Sequence, residues 1–97
     1  MQGENEKKHR ISTLAIHAGQ EPDPSFGDVI PPLHLSSTFS QSSPGVHKGF
    51  DYSRAGNPTR QRYETALTAL ENGTDAFAFS SGLAAIDAVV RTLSPGD

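Results

Sequence analysis

The stretch Asp-Ala-Phe-Ala-Phe-Ser-Ser-Gly-Leu-Ala-Ala, from Asp75 to Ala85, decides the fold class. Its first part, Asp75–Phe79, is an apolar run of strand length, and Ser-Ser-Gly then breaks the run. The apolar residues that follow recur at helical spacing: Ile86, Val89, Val90 and Leu93. This order predicts a strand followed by a helix, which Pro95-Gly96 is expected to close.

A second helix is predicted immediately upstream. Asn57 is a favourable N-cap and Pro58 a favourable first helical residue. Apolar side chains then recur with helical period at Tyr63, Ala66, Leu67 and Leu70. Asn72-Gly73 supplies the stop, and Glu64 and Glu71 are expected on the exposed face. Helix, strand and helix in this order are typical of an α/β domain with a parallel sheet, whose other strands must come from elsewhere.

The chain divides at residue 56 in this interpretation. Residues 57–97 begin the α/β domain, and residues 1–56 form a tail and an extended arm. The tail, Met1–Arg10, is expected to be disordered, and Ile11–Ile16 to form a short helix with Ser12 or Thr13 near its cap. The arm is rich in proline and glycine but also carries apolar residues, so we expect it to lie on another surface, and a partner subunit is one candidate for that surface.

Composition excludes several classes of function. A net charge of −3 without a Lys/Arg cluster argues against nucleic-acid binding. No apolar run approaches the roughly 20 residues of a membrane span, and the absence of cysteine fits a reducing compartment. We therefore expect a cytoplasmic protein with no membrane partner. The histidines have no spacing suited to a shared metal, and no metal site is expected: His9, His17, His34 and His47.

The turn between the predicted strand and the last helix is a candidate anion site. Gly82 lets an anion approach the backbone closely, and the N–H groups of Gly82 and Leu83 would have no partner inside the helix. The hydroxyls of Ser80 and Ser81 can add hydrogen bonds. An ordinary strand–helix turn with Ser81 as N-cap is the alternative interpretation.

Tyr52 and Arg54 form a second candidate anion site. They are two positions apart, so both side chains would point the same way in an extended segment. A guanidinium beside a phenol is suited to a phosphate, because the planar guanidinium can donate two parallel hydrogen bonds. The alternative is a surface Arg54 paired with Asp51, next to a half-buried Tyr52.

The order of these two sites resembles the trans-sulfuration (Cys/Met metabolism) family of pyridoxal-phosphate enzymes. The resemblance rests on Tyr52-Ser-Arg-x-Gly-Asn-Pro-Thr59 and on Ser81-Gly-Leu-Ala-Ala85. It runs from His17-Ala-Gly-Gln20 to Pro95-Gly-Asp97. Within the family, Pro44-Gly-x-His-x-Gly-Phe50 is most similar to the cystathionine γ-lyase branch. Cystathionine γ-synthase, cystathionine β-lyase, methionine γ-lyase and O-acetylhomoserine sulfhydrylase remain open as alternatives.

The resemblance implies the start of the large domain of a fold-type I (aspartate-aminotransferase-like) enzyme with pyridoxal 5'-phosphate as cofactor. Ser81, Gly82 and Leu83 would bind the cofactor phosphate. Tyr52 and Arg54 would reach the cofactor of a neighbouring subunit and face the amino-acid substrate, cystathionine or a homoserine ester. Asp51 stands where some relatives carry Glu and is a weaker candidate for substrate selection. These roles imply a homo-oligomer, expected to be a tetramer.

The resemblance places no catalytic residue in this segment, because the family's Schiff-base lysine is expected downstream of Asp97. The chain is thus expected to be the N-terminal part of a longer enzyme and inactive alone. A non-catalytic truncated remnant that pairs with full-length subunits is an alternative of a different class. A nucleotide-binding α/β module is a further one, disfavoured because the chain has neither Gly-x-Gly-x-x-Gly nor Gly-Lys-Ser/Thr.

Overall fold

The computed structural model describes residues 9–97, so most of the expected disordered tail lies outside the described residues. These residues form three α-helices: α1 (Ile11–His17), α2 (Pro58–Leu70) and α3 (Gly82–Val90). The arm between α1 and α2 contains two isolated antiparallel bridges, Thr38 with Tyr52 and Ser43 with Val46. None of the helices in residues 9–97 has the length and apolar character needed to cross a membrane.

Helix α2 begins where the sequence predicts. Asn57 is extended, with φ −143° and ψ 135°, and its side-chain oxygen accepts a hydrogen bond from the Thr59 N–H at 2.9 Å. Pro58 follows as the first helical residue. At the other end Asn72 adopts a left-handed φ of 53°, and the Gly73 N–H donates to the Thr68 carbonyl at 2.9 Å. The predicted cap and stop are both confirmed.

Helix α1 is confirmed, but its predicted cap is wrong. Arg10 occupies the N-cap position without a side-chain hydrogen bond. Its carbonyl accepts from the N–H groups of Thr13 and Leu14, both at 3.0 Å. The helix therefore starts early enough to place Ser12 and Thr13 inside its first turn.

Gly19 lets the chain turn away from α1 against the backbone of α2. Its φ is 74°, a left-handed conformation that glycine adopts readily, and it is buried. The Arg62 guanidinium crosses from α2 and donates to the carbonyls of Gly19, at 3.0 Å, and Glu21, at 2.9 Å. A Cβ on Gly19 would overlap the Arg62 carbonyl oxygen. The close approach of the chain after α1 to α2 thus requires a residue without a Cβ at position 19.

Helix α3 ends earlier than the sequence predicts. Its last residue is Val90, and the turn that follows is held by the N–H of Leu93 donating to the Val90 carbonyl at 3.0 Å. Leu93 therefore lies beyond the helix. Pro95-Gly96, expected to end α3, instead forms part of a separate turn in which the Asp97 N–H donates to the Ser94 carbonyl at 3.1 Å.

The predicted strand, residues 75–79, is not paired in this structure. No second strand lies beside it among residues 9–97, so it cannot form a sheet ladder. Its side chains nevertheless alternate in exposure: Ala76 and Ala78 are half-buried, whereas Phe77 and Phe79 are exposed. This alternation is typical of a strand with one covered face.

The described residues enclose no buried hydrophobic core. Large apolar side chains of α3 are open, including Leu83 at 76% exposure and Val89 at 67%. The arm carries an apolar set that is equally open: Phe26, Val29, Ile30, Leu33 and Leu35. The segments around α2 are therefore held to it by hydrogen bonds rather than by a buried apolar core.

Substituting Gly19 by Ala should loosen α1 from α2. The added Cβ meets the Arg62 carbonyl and also strains the left-handed backbone, which costs about 1–3 kcal/mol. Amide hydrogen exchange of residues 11–21 should rise by roughly five- to a hundredfold. The matched control is Gly27→Ala, with a similar φ of 75° and nothing within 4 Å of the added Cβ. Equal effects of the two variants on residues 11–21 would contradict the steric explanation.

Candidate anion-binding site

The N-terminus of α3 presents two unpaired backbone donors. Ser81 is the N-cap, and its hydroxyl oxygen accepts from the Ala84 N–H at 3.1 Å. Gly82 and Leu83 are the first two helical residues, and their N–H groups donate to no acceptor within residues 9–97. The space beside Gly82 is open, since a Cβ there would meet nothing within 4 Å. An anion can therefore approach both donors.

Ser80 and Ser81 differ in what they can offer an anion. The Ser81 hydroxyl oxygen is engaged by Ala84, as the cap interpretation requires. The Ser80 hydroxyl makes no hydrogen bond within the described part of the chain, and the residue is exposed. The cap and the anion site are thus compatible, because the cap uses the Ala84 donor and leaves those of Gly82 and Leu83.

Tyr52 and Arg54 lie together, but not as the sequence predicts. The Arg54 guanidinium carbon stands 4.7 Å from the centroid of the Tyr52 ring. Tyr52 belongs to the bridge with Thr38, whereas Arg54 lies in a turn in which the Tyr52 carbonyl accepts from Ala55 and Gly56, both at 2.9 Å. The expected extended geometry is therefore wrong. A turn brings the cation over the ring, a contact of about 0.5–1 kcal/mol when exposed.

The isolated antiparallel bridge between Thr38 and Tyr52 holds Tyr52 in place. The Phe39 N–H donates to the Asp51 carbonyl at 3.0 Å, and the Ser53 N–H donates to the Ser37 carbonyl at 2.8 Å. The rings of Phe39 and Phe50 pack with centroids 6.1 Å apart. The Tyr52 ring therefore projects from a fixed backbone.

Arg54 carries a charge that no acidic group neutralises within residues 9–97. The alternative pairing with Asp51 is not formed, because neither ion pair in the described residues includes Arg54 or Asp51. The Arg54 guanidinium donates no hydrogen bond there either. Asp51 is half-buried. The guanidinium is thus available to an external anion.

The two candidate sites make no direct polar contact with each other among residues 9–97. No hydrogen bond or ion pair joins residues 51–54 to residues 80–83 in the described part of the chain. Each presents its own donors: backbone N–H groups at α3, and a guanidinium with a phenol at the arm. Within residues 9–97, no group of three or more histidine, aspartate or glutamate side chains could hold a metal ion.

Sequence reasoning missed the second role of Asn57. Its amide nitrogen donates to the His34 carbonyl at 3.1 Å and to the Ser53 hydroxyl at 3.0 Å, and that hydroxyl donates onward to the Ser36 carbonyl. Thr59 adds a further tie by accepting from the His34 N–H at 2.8 Å. The Asn-Pro-Thr run predicts a cap but gives no indication of a partner 23 residues away.

The expectation for Glu64 is wrong. Its side chain is only 20% exposed, and its carboxylate accepts from the Ala78 N–H at 2.8 Å. The helical period of about 100° per residue places Glu64 beside the apolar stripe rather than on it. It does not reveal that the following segment folds back along that side of α2. Glu71, by contrast, is exposed as expected.

The model of the family described as "Cys/Met metabolism PLP-dependent enzyme" matches residues 12–97. The chain belongs to this family. It is 50% identical over 97 residues to a cystathionine β-lyase of Coxiella burnetii, covering all of this chain and 25% of the relative. It is 49% identical over 90 residues to a cystathionine γ-lyase of Dictyostelium discoideum, covering 92% of this chain and 23% of the relative.

The solved structures agree with these sequence matches. Cystathionine γ-synthase from Xanthomonas oryzae pv. oryzae, in complex with aminoacrylate and cysteine, superposes with a TM-score of 0.84 at 40% identity. The match covers 94% of this chain and 24% of that one. The expected family and α/β, fold-type I class are confirmed. The chain spans about a quarter of the length of these relatives, and their names divide between β-lyase, γ-lyase and γ-synthase.

Replacing Ser81 by Ala should weaken the start of α3. The Ala84 N–H loses its acceptor, and removal of an N-cap hydroxyl costs about 1 kcal/mol. Amide exchange of Ala84 and Ala85 should therefore rise about fivefold, because these N–H groups donate to Ser81, whereas those of Gly82 and Leu83 have no partner to lose. Ser80→Ala is the matched control and should leave that exchange unchanged, because the Ser80 hydroxyl bonds nothing in the described chain. A larger effect of Ser80→Ala than of Ser81→Ala would refute the assignment of the cap.

Proposed function

We propose that this chain is the N-terminal part of a pyridoxal-phosphate enzyme of sulfur amino-acid metabolism, most specifically a cystathionine γ-lyase. It would cleave cystathionine to cysteine, 2-oxobutanoate and ammonia. The observation that carries the proposal is the open pair of N–H donors at Gly82 and Leu83, in a chain whose residues 12–97 match this cofactor-dependent family.

The residues present fit the phosphate of pyridoxal phosphate. Backbone N–H groups at a helix N-terminus suit a doubly charged oxyanion, because donors and helix dipole act together. Gly82 leaves room for the phosphate oxygens to reach the backbone. The exposed Ser80 hydroxyl makes no hydrogen bond within residues 9–97 and can donate as well. Leu83 takes part through its backbone, so its side chain does not limit this role.

Arg54 and Tyr52 are proposed to bind the cofactor phosphate of a neighbouring subunit. Support comes from the lack of any hydrogen bond or ion pair between these residues and the α3 donors among residues 9–97, and from the Arg54 charge, which no acidic side chain there neutralises. The open apolar arm supports the same arrangement, since exposed apolar patches mark interaction surfaces. We accordingly propose a homotetramer with shared active sites. We also propose that the protein is cytoplasmic. The weaker proposal is that Asp51, beside Tyr52, influences which amino acid is accepted.

The chemistry divides between the cofactor and the chain. When bound, pyridoxal phosphate supplies an electron sink for carbanion chemistry at an amino acid. The residues of this chain bind and orient: Gly82 and Leu83 hold the phosphate, while Arg54 adds a positive charge and Tyr52 fixes the guanidinium. We propose that the lysine linked to the cofactor lies in the three quarters of the relatives' length that this chain does not span.

Cystathionine β-lyase is the second candidate, because the Coxiella burnetii relative of that name matches all 97 residues. γ-Synthase relatives and structures also match. The γ-lyase would break, and the γ-synthase would form, the bond between sulfur and the γ-carbon of cystathionine, whereas the β-lyase would break the bond between sulfur and the β-carbon. Asp51, Tyr52 and Arg54 are the residues of this chain proposed to face the substrate.

Substitution of Arg54 by Gln should weaken pyridoxal-phosphate binding by the full-length protein about ten- to a hundredfold. The reason is the loss of charge-assisted hydrogen bonds of about 1.5–3 kcal/mol each. Arg54→Lys should recover only part, because an ammonium cannot donate two parallel bonds. The dissociation constant is measured by titrating the apoprotein and following the absorbance of bound cofactor. Arg91→Gln controls for net charge, since Arg91 pairs with the exposed Asp87; an equal loss there would argue against a specific role of Arg54.

Two incubations of the full-length protein with pyridoxal phosphate separate the candidate reactions: one with cystathionine, and one with an activated homoserine ester and cysteine. Release of cysteine with 2-oxobutanoate is expected for the γ-lyase. Homocysteine with pyruvate would identify the β-lyase instead. Cystathionine formation from an activated homoserine ester and cysteine would identify the synthase. Failure to bind pyridoxal phosphate at all would favour the non-catalytic alternative and overturn the proposal.

A further inference from the structure

Glu64 connects α2 to the segment that leads into the α3 donors. Its carboxylate oxygen Oε2 accepts from the Ala78 N–H at 2.8 Å, across 14 residues. Ala78 is three positions before Ser81, the N-cap of α3. A displacement of Ala78 along or away from α2 would therefore shift the turn that presents Gly82 and Leu83.

The Glu64 carboxylate also lies beside the Arg60 guanidinium. The Arg60 Nε lies 3.8 Å from Oε2 of Glu64, one turn along α2. The terminal nitrogens of Arg60 donate to the carbonyls of Ser53, at 3.5 Å, and Ala55, at 3.1 Å. These carbonyls belong to the turn that carries Arg54. A continuous polar connection thus runs from the arm turn through Arg60 and Glu64 to Ala78.

This connection is partly shielded from water. The side chains of Arg60 and Glu64 are 35% and 20% exposed, and Ala78 is half-buried. A hydrogen bond to a charged acceptor in such a place is stronger than a neutral surface one. It also supplies the Ala78 N–H with a partner, which a half-buried backbone donor requires.

We propose that Glu64 is a positioning residue for phosphate binding: it holds residues 75–79 on α2 so that the Gly82 and Leu83 N–H groups face the cofactor phosphate. The proposal rests on the proposed function. The essential feature is an acceptor oxygen at the reach of a glutamate side chain. The negative charge serves mainly to keep Arg60 in place.

Three substitutions separate acceptor, charge and reach. Glu64→Gln keeps an acceptor at the same reach and removes the charge. Glu64→Asp keeps the charge but shortens the side chain by one methylene group, which withdraws the acceptor from Ala78. Glu64→Leu removes both at similar volume. Glu71→Gln and Glu71→Leu, at the exposed end of the same helix, are the matched controls.

The first measurement is amide exchange of residues 75–81 in the full-length protein. Glu64→Leu and Glu64→Asp should raise the exchange of Ala78 about ten- to a hundredfold, and Glu64→Gln less than about fivefold. The Glu71 variants should leave it unchanged. If Glu64→Leu does not fold, the comparison between Glu64→Asp and Glu64→Gln still decides. Wild-type exchange in Glu64→Asp, or equal damage in Glu64→Gln and Glu64→Asp, would overturn the proposal.

The second measurement is the ³¹P chemical shift and dissociation constant of bound pyridoxal phosphate. Glu64→Asp should weaken binding about tenfold or more and move the phosphate resonance. Glu64→Gln should leave both the affinity and the resonance close to those of the wild type. Faster Ala78 exchange with an unmoved resonance and unchanged affinity would overturn the positioning role. Lack of cofactor binding by the wild type would instead overturn the proposed function, and the exchange measurement would still decide whether Glu64 holds residues 75–79.

Discussion

The side chain of Asn57 is the contact on which the rest of this structure depends. Its oxygen caps α2 through the Thr59 N–H, and its nitrogen ties down the arm at the His34 carbonyl and the Ser53 hydroxyl. One amide thus starts the helix and fixes the chain that approaches it. In a structure without a buried apolar core within residues 9–97, such directional contacts determine where the arm lies.

Helix α2 therefore acts as the organiser of both candidate anion sites. Asn57 and Arg60 hold the turn that carries Arg54, and Glu64 holds the segment that ends at Ser81. Arg62 attaches the chain after α1 to the same helix. The donors that would meet a phosphate lie at segments attached to α2. The proposed phosphate-binding sites are consequently attached to the fold through the polar side chains of one helix.

Local features were predictable from the sequence, and contacts across long separations were not. Asn57-Pro58 and Ser81 predict the starts of α2 and α3, because an N-cap side chain accepts a hydrogen bond from a residue only two or three positions along the chain. The resemblance also identifies the family and its fold class. The stacking of Arg54 on Tyr52 was not predictable, because it depends on a turn that replaces the expected extended geometry. The hydrogen bond from Ala78 to Glu64 was not predictable either. Helical periodicity predicts which face of α2 a residue occupies, but not which segment packs against that face.

The most direct test of the role of Asn57 compares Asn57→Asp with Asn57→Ala by amide exchange in the full-length protein. Aspartate keeps the cap acceptor but loses both arm donors, so exchange at residues 61–64 should match the wild type. Exchange at residues 36–39 and 51–56 should rise about fivefold or more, for a loss of about 1 kcal/mol or more. Alanine should raise exchange in all these segments. Wild-type protection of the arm in Asn57→Asp would contradict the claim that this side chain fixes it.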